Sequence, residues 1–170
     1  AADIKPVAVK SIEQQALQGL HRLRSGWMGT RTRRINTLRG FCREFGLEVR
    51  VGAVQGLAAI ARLIADDRSA IPALLRTPMR LALEEIRLME ARIEQLEREL
   101  AQLARQSPAC AVLTSVPGIG LLTSTAMVAA VRDPRSFDSG RRYSSFFGLT
   151  PREYSSGSHR YLGRISKRGD

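Results

Sequence analysis

The sequence predicts a mainly α-helical protein, with long helices that form a coiled coil and a small helical domain that follows them. Hydrophobic residues make up 44% of its 170 residues, but aromatic residues only 5%. The core must therefore come from Leu, Ala, Ile and Val, a composition that suits helices. Apolar residues also recur at helical spacing near the N-terminus and in heptads in the middle of the chain. The last part of the chain is basic and rich in Gly and Ser, which predicts a loop or a hairpin.

Charge divides the chain into three segments. We predict an Arg-rich helical segment at residues 1–50, a helical connector with the coiled coil at residues 51–108, and a C-terminal domain at residues 109–170. These segments carry ten, eight and nine Lys or Arg residues against four, eight and four Asp or Glu residues. The net charge of +11 and the isoelectric point near 11.1 predict a polyanionic partner, nucleic acid before a membrane surface. The two basic ends should contact it.

A capping box opens the first helix, because Ser11 is followed three residues later by Gln14. Gly46 fits the C-terminal cap, and Gly26 and Gly29 allow a break or kink near the centre. Arginines cover much of the remaining surface, and few acids lie near them in the sequence to pair with. We therefore expect this surface of the helix to bind nucleic acid rather than only to contact solvent. Its predicted binding residues are Arg22, Arg31, Arg34 and Arg39.

The middle of the chain contains a heptad pattern. Two shorter helices are predicted over residues 53–76, separated near Asp66 and Asp67, and Thr77 with Pro78 fits the start of a longer helix. The a and d positions that follow are all apolar: Met79, Ala82, Ile86, Met89, Ile93, Leu96, Leu100 and Leu103. This pattern indicates a coiled coil or a long helical hairpin, whose partner is either a second copy or the Arg-rich helix of the same chain. One long helix on a globular core is the alternative, and Pro108 should end it.

The stretch "SVPGIGLLTSTA" predicts two helices joined by a tight turn. Pro117 ends the first helix, and Gly118 and Gly120, on either side of Ile119, allow positive φ and close backbone approach. The second helix then begins with free N–H groups, which can donate to a sugar-phosphate backbone in the favourable field of the helix dipole. This pattern is typical of helix-hairpin-helix elements, which bind DNA through phosphates without reading sequence. The alternative is a compact Gly-rich turn between packed helices.

Two adjacent hydroxyls, those of Ser155 and Ser156, precede Gly157 in the basic C-terminal segment. A serine that attacks phosphorus needs cations to stabilise the developing charge and a group that accepts its proton. The candidate cations are Arg152, Arg160, Arg164, Lys167 and Arg168, and the candidate proton acceptor is His159. The residues alone leave two other interpretations open: an ordinary Ser-Ser-Gly turn, and hydroxyls that bind phosphate without chemistry.

Other features limit the class of protein. Cys42 and Cys110 do not form a disulfide framework, so reduced thiols in an intracellular protein are expected. No signal peptide is visible, and no apolar run reaches the roughly 18 residues that span a bilayer. We expect a cytoplasmic protein without a membrane partner.

Three stretches, "PGIG", "GLTPREYSSG" and "GRISKRG", resemble the C-terminal transposase domain of the insertion-sequence-110 family. The segment "VAVKSIEQQALQGL" and the residues after it also resemble the family's entry into its coiled coil. The resemblance covers nearly the whole chain and is weakest at residues 50–78. It implies a DNA recombinase that moves insertion sequences in prokaryotic cells, on the nucleoid. In characterised relatives a structured guide RNA pairs with both donor and target DNA.

The resemblance also implies a mechanism. In this family an RNase-H-like domain with four acidic metal ligands, which implies Mg²⁺, acts together with a serine of the C-terminal domain. That serine is thought to attack DNA and to form a covalent phosphoserine. By motif position it is Ser156, with Ser155 as the runner-up. Family members form dimers and tetramers, and the coiled coil would provide that interface.

One departure from the family pattern matters most. The acidic tetrad should lie upstream of residue 1, because Asp3 matches none of its positions and the glutamates of the heptad helix lie on its surface. We therefore expect no cofactor in this chain, which should bind nucleic acid and oligomerise but not cut DNA by itself. The alternative function is a non-catalytic module for nucleic-acid binding and oligomerisation, left by a decayed transposase.

Overall fold

The protein is mainly α-helical, as predicted. The computed structural model describes residues 9–167 and residue 169. In chain order its elements are α1 (Ile12–Glu44), α2 (Ala53–Ala65), α3 (Ala73–Gln106), α4 (Pro108–Thr114), α5 (Leu121–Ala130), a 3₁₀ turn (Pro134–Ser136), α6 (Gly140–Phe146), β1 (Pro151–Glu153) and β2 (Leu162–Ile165). The two strands form one antiparallel sheet.

Helix α1 begins and ends as the sequence predicts. The Ser11 hydroxyl accepts from the backbone N–H of Gln14, and the Gln14 side chain accepts from the backbone N–H of Ser11, which completes the capping box. At the other end Gly46 takes a φ of 71°, and Leu47 donates back to the carbonyl of Cys42. This is a Schellman cap. The break allowed at the central glycines does not occur, since α1 runs unbroken for 33 residues.

Helices α1 and α3 form an antiparallel hairpin. Ion pairs join Arg24 to Glu97 and Arg34 to Glu85, so the α3 partner moves back along the chain as α1 advances. Helix α2 packs against both helices. The buried core between them is aliphatic: Ile35, Leu38, Cys42, Ile60, Ile64, Ile71, Met79, Leu83, Ile86 and Met89. A core of this composition agrees with the low aromatic content.

The heptad face of α3 is buried within its own chain. Met79, Ile86, Met89 and the later a and d positions up to Leu100 are buried, while Leu103 is 44% exposed. The heptads allowed two partners, a second copy or the Arg-rich helix of the same chain. In the structure the partner is the Arg-rich helix, α1. A homo-oligomer through this face therefore has no exposed seam to use.

The predicted start of the long helix at Thr77 is wrong. Helix α3 begins at Ala73, directly after Pro72, and Pro78 lies inside it. The turn before Pro78 is helical because Leu75 packs against the buried cluster that includes Ile71. The second of the two short helices predicted over residues 53–76 is thus the first turn of α3.

Helices α4 and α5 dock on the open end of the α1–α3 hairpin. The Gln14 side-chain amide donates to the carbonyls of Val128 and Val131, at 2.8 and 2.9 Å, and so caps the C-terminal end of α5. The ring of His21 lies 3.0 Å from the hydroxyl of Thr125, a fully buried residue. Beyond α5, four aromatic rings with edge-on contacts support α6: Phe137, Tyr143, Phe146 and Phe147.

No helix within residues 9–167 is both long enough and apolar enough to cross a membrane.

Candidate nucleic-acid interface and serine hairpin

The paired serines lie at the tip of the β1–β2 hairpin. Ser156 and His159 exchange both backbone hydrogen bonds, at 3.1 and 3.2 Å, so that Gly157 and Ser158 form a two-residue loop. Gly157 has a φ of 60°, whereas Ser158 has a negative φ. This is the arrangement of a type II′ turn, which takes Gly at its first position because other residues are strained there. The sequence Ser-Gly-Ser-His therefore produces an exposed, tightly fixed tip.

The hairpin places the two serines on opposite faces. Successive side chains of an extended strand point to opposite sides, and directly paired residues share a side. His159 is therefore on the same face as Ser156, while Ser155 is on the other face with Glu153. The Ser155 hydroxyl donates to Glu153 Oε1 at 2.7 Å. The Ser156 hydroxyl makes no hydrogen bond to any residue that the structure describes, and it is exposed.

Glu153 is a residue that the sequence reasoning missed. Its Oε1 atom accepts from both Ser155 and Arg160, the latter at 3.1 Å between Nε and Oε1. The hydrogen bond from Ser155, together with the charges of Arg160 and Arg141, lowers the pKa of the Glu153 carboxyl from its ordinary value. The sequence did contain a signal for this residue: a single carboxylate stands in a segment dominated by cations, two residues before the first serine. In an extended strand that spacing places the carboxylate and the Ser155 hydroxyl on the same face.

A basic groove runs along the base of the hairpin. Arg152, Arg164 and Lys167 line it together with the ring of Tyr154, and the groove has a volume of about 480 Å³. Lys167 adopts a φ of 52°, and its backbone N–H donates to the carbonyl of Gly148, which ties the end of β2 to the end of α6. Three of the cations predicted around the serine thus converge on one surface. Arg168 lies outside the described residues.

The Pro-Gly-Ile-Gly segment forms the predicted turn between two helices. Gly118 has a φ of 90°, and the backbone N–H of Ile119 donates to the carbonyl of Val116. Gly120 is the N-cap residue of α5 and has no side chain to cap it, so the first N–H groups of this helix are left for another acceptor. Pro117, Gly118 and Gly120 are exposed, and Ile119 is half-buried. This geometry fits a phosphate contact at the turn.

Most of the α1 arginines that were predicted to bind nucleic acid are engaged within the chain. Arg31 pairs with Glu90, Arg34 pairs with Glu85, and Arg39 donates to the carbonyl of Gly52 at 2.6 Å. The sequence prediction rested on a lack of nearby acids, and α3 supplies those acids in space. Arg22 is exposed, and no described residue pairs with it.

The described residues do not form a metal site. Among them no group of three or more His, Cys, Asp or Glu side chains could hold a metal ion. Four glutamates of α3 instead pair with arginines, as Glu97 does with Arg24.

Comparisons with known proteins identify the family. A sequence profile described as the transposase IS116/IS110/IS902 family matches residues 110–170. A probable family 20 transposase of Pseudomonas aeruginosa is 39% identical over 165 residues, which are 96% of this chain and 49% of that protein. The transposase for insertion sequence element IS1111A of Coxiella burnetii is 32% identical over 169 residues, which are 99% of this chain and 46% of that protein. The chain belongs to the IS116/IS110/IS902 transposase family. The resemblance drawn from its motifs is thus confirmed.

This family member spans about half the length of the curated relatives it matches. A shorter match is to a protein that is named for gene inversion. The pilin gene-inverting protein of Moraxella bovis is 33% identical over 78 residues, which are 44% of this chain and 24% of that protein. The profile match at residues 110–170 includes the turn before α5, α6 and the serine hairpin.

Proposed function

We propose that this chain is the DNA-binding, serine-bearing part of a transposase that cuts and rejoins DNA through a covalent phosphoserine on Ser156. One observation carries the choice of residue: of the two adjacent hydroxyls, that of Ser155 is hydrogen-bonded to Glu153 and that of Ser156 is not bonded to a described residue. Family membership supports the reaction class. The name of the Moraxella relative supports strand exchange, since inverting a gene requires that DNA be cut and rejoined.

The proposed step is a transesterification at phosphorus. The Ser156 oxygen forms a bond to phosphorus while the bond to one bridging oxygen of the DNA strand breaks. The imidazole of His159, directly across the hairpin, accepts the serine proton, and the released DNA oxygen takes up a proton. Arg152 and the other groove cations, at the base of the hairpin, neutralise neighbouring phosphates of the same strand and so hold it against Ser156. Attack by a DNA hydroxyl on the phosphoserine then reverses the bonds and restores the serine.

Mg²⁺ belongs to the complete family enzyme by resemblance, but the described residues do not fit it, because they contain no cluster of metal ligands. No step proposed for this chain depends on the metal.

The proposal extends to partners. DNA binding uses the turn before α5 and the basic groove, and a structured guide RNA is proposed from the family resemblance and the net charge of +11. Such a protein would lie on the nucleoid of a prokaryotic cell. Homo-oligomers are also proposed. Because the heptad face is buried, we propose for them a second apolar stripe of α3, formed by exposed leucines at heptad spacing: Leu74, Leu81 and Leu88.

A covalent trap tests the chemistry. The chain is combined with the part of the Coxiella relative that lies outside the matched segment, with Mg²⁺, RNA transcribed from the IS1111A element and nicked DNA ends of that element. We expect DNA attached to the peptide that contains Ser156, seen by denaturing gel and peptide mass. Ser156→Ala should abolish the adduct, while the matched neighbours Ser155→Ala and Ser158→Ala should keep it.

The other outcomes each decide against part of the proposal. An adduct that survives Ser156→Ala and disappears in Ser155→Ala would make the bonded hydroxyl the nucleophile. DNA binding without any adduct would favour the alternative function, a non-catalytic module for nucleic-acid binding and oligomerisation.

A further inference from the structure

We propose that Tyr154 and Tyr161 form a stacking platform for unpaired nucleobases, next to the basic groove of the hairpin. The ligand class is a short single-stranded stretch of nucleic acid. Its bases would stack on the tyrosine rings and its phosphates would contact the groove cations. The platform is inferred from ring geometry and charge alone, and only its role beside Ser156 rests on the proposed function.

The two rings are paired across the hairpin but are not packed together. The backbone N–H of Tyr154 donates to the carbonyl of Tyr161 at 2.9 Å, so the two side chains share one face. Their ring centroids are 6.4 Å apart and the planes are tilted by 50°. The two residues are 62% and 67% exposed, and neither hydroxyl bonds to a described residue. Large apolar ring surface is therefore left open to a ligand.

A purely structural role does not account for these two rings. The aromatic residues around α6, such as Phe146 and Phe147, are partly buried and pack at centroid distances of 5.1 to 5.4 Å. The domain therefore packs its other rings tightly, whereas Tyr154 and Tyr161 remain mostly in solvent. A cross-strand pair that served only the hairpin would gain more from close packing.

The ring of Tyr154 is held in position. A Cβ atom placed on Gly163 would approach Tyr154 Cε2 to 3.2 Å, which shows how closely the ring lies over the β2 backbone. One face of the ring is thus supported by the strand, so less freedom is lost when a base stacks on its exposed surface.

Cations lie beside this ring. Tyr154 lines the groove together with Arg152, Arg164 and Lys167. Proteins that bind single strands combine these two features: a positive groove that follows the phosphates, and aromatic rings on which successive bases stack. The cations of the groove are thus complementary to the phosphate of an unpaired nucleotide, and the tyrosine rings are complementary to its base.

The platform also lies near the proposed nucleophile. Tyr154 and Ser156 are two residues apart on the same face, a rise of about 7 Å along a strand. A base stacked on the platform would therefore flank the attacked phosphate, which would hold the strand in place for the reaction.

Binding by the full 170-residue chain tests the platform. The probe is a short single-stranded DNA containing 2-aminopurine, compared with RNA of the same sequence and with the duplex. Tyr154→Ile and Tyr161→Ile keep β-propensity and remove the ring, while the Phe variants keep the ring. We expect each Ile variant to bind single strands at least about 5-fold more weakly, the low end for loss of one stacked base. Duplex affinity should be unchanged, and the Phe variants should bind as the wild type does.

Fluorescence quenching adds a direct readout of stacking. The wild-type chain should quench 2-aminopurine, and the Ile variants should not. Equal weakening for single strands and duplex, or Phe variants as weak as Ile variants, would overturn the platform, as would no binding of single strands. A ring contact that appears with RNA alone would assign the platform to RNA. The binding assay needs no covalent adduct and changes only the two tyrosines, so failure of the covalent trap and failure of the platform are distinguishable.

Discussion

At the scale of single residues, the strand geometry separates two serines that are equivalent in the sequence. The carboxylate of Glu153 holds the hydroxyl of Ser155 and the guanidinium of Arg160 on one face. The hydroxyl of Ser156 lies on the other face with His159 and the paired tyrosines. A one-residue shift in register would exchange the two serines, because side chains alternate along a strand. The type II′ turn at Gly157 prevents that shift by fixing the loop length.

His21 is a second residue whose surroundings have a consequence that can be measured, the pH dependence of stability. Burial, with a smaller contribution from the charge of Arg24, lowers the pKa of its imidazole from the ordinary value of 6.5. The Thr125 hydroxyl donates to the carbonyl of Leu121, so we infer that the neutral His21 ring donates to Thr125 through Nε2. The folded state therefore binds a proton less readily than the unfolded state, and stability is lost as the pH falls below about 6.5.

We predict that His21→Gln reduces this pH dependence. The free energy of unfolding, measured with urea at pH 7.5 and pH 5.5, should fall more for the wild type than for the variant. His159→Gln is the matched control, because that histidine is exposed and should leave the difference unchanged. An identical pH dependence in the His21 variant would show that the imidazole is not buried as described.

At the scale of elements, the α1–α3 hairpin and the C-terminal domain form one packed unit. The Gln14 side chain caps α5, and Arg132 donates to the carbonyl of Val9 at 3.0 Å. Contacts from α1 and α3 thus hold α5 and the turn before it, so that the glycine turn is presented on a rigid support. The β hairpin is attached differently, through backbone bonds from Ser166 and Lys167 to the α6–β1 connection.

Two apolar positions of α3 should separate folding from association. Ile86 is fully buried, so Ile86→Ala should lower the free energy of unfolding by about 2–5 kcal/mol without changing the mass of the particle. Leu81 is 59% exposed, so Leu81→Glu should reduce any oligomer and change stability by less than about 0.5 kcal/mol. Urea unfolding and light scattering measure the two effects. If Ile86→Ala dissociated an oligomer and left stability intact, the heptad face would be an interface between copies.

At the scale of the whole molecule, the positive charge is used in two ways. Several α1 arginines pair with α3 glutamates and join the helices, whereas the groove cations of the hairpin are turned to solvent. Net charge alone does not distinguish these roles. The exposed cations, at the hairpin and at positions such as Arg22, are the ones available to phosphate.

We predict that the salt dependence of DNA binding reports this division. Arg152→Ala and Lys167→Ala should each reduce the slope of log K against log salt by about 0.9 for every phosphate that the side chain had neutralised. Arg31→Ala should leave the slope unchanged and lower the free energy of unfolding, because Arg31 pairs with Glu90. Fluorescence anisotropy over a range of salt concentrations measures the slope. An equally reduced slope in all three variants would place α1 in the interface as well.

Much of the fold could be predicted from local patterns. The Ser11 capping box, the Gly46 cap and the turn at Gly118 are all confirmed, since each depends on a few adjacent residues. The start of α3 was predicted wrongly, because packing of Leu75 extends the helix beyond the local signal at Pro78. Glu153 was missed although it is the single carboxylate next to the serines; its contact with Arg160, across the hairpin, is the part of its role that only the folded structure shows.

By itself, the sequence determined the helical class, the family, the glycine turn before α5 and the candidate serine pair, because these follow from periodicity and short motifs. Only the tertiary structure decided the partner of the heptad face, the internal pairing of Arg31 and Arg34, and which serine hydroxyl is bonded to Glu153. The two arginine pairs join residues that are 59 and 51 positions apart in the chain, and the bond from Ser155 to Glu153 forms because both side chains lie on one face of the same strand of the hairpin. Their contact exists only after the chain has folded.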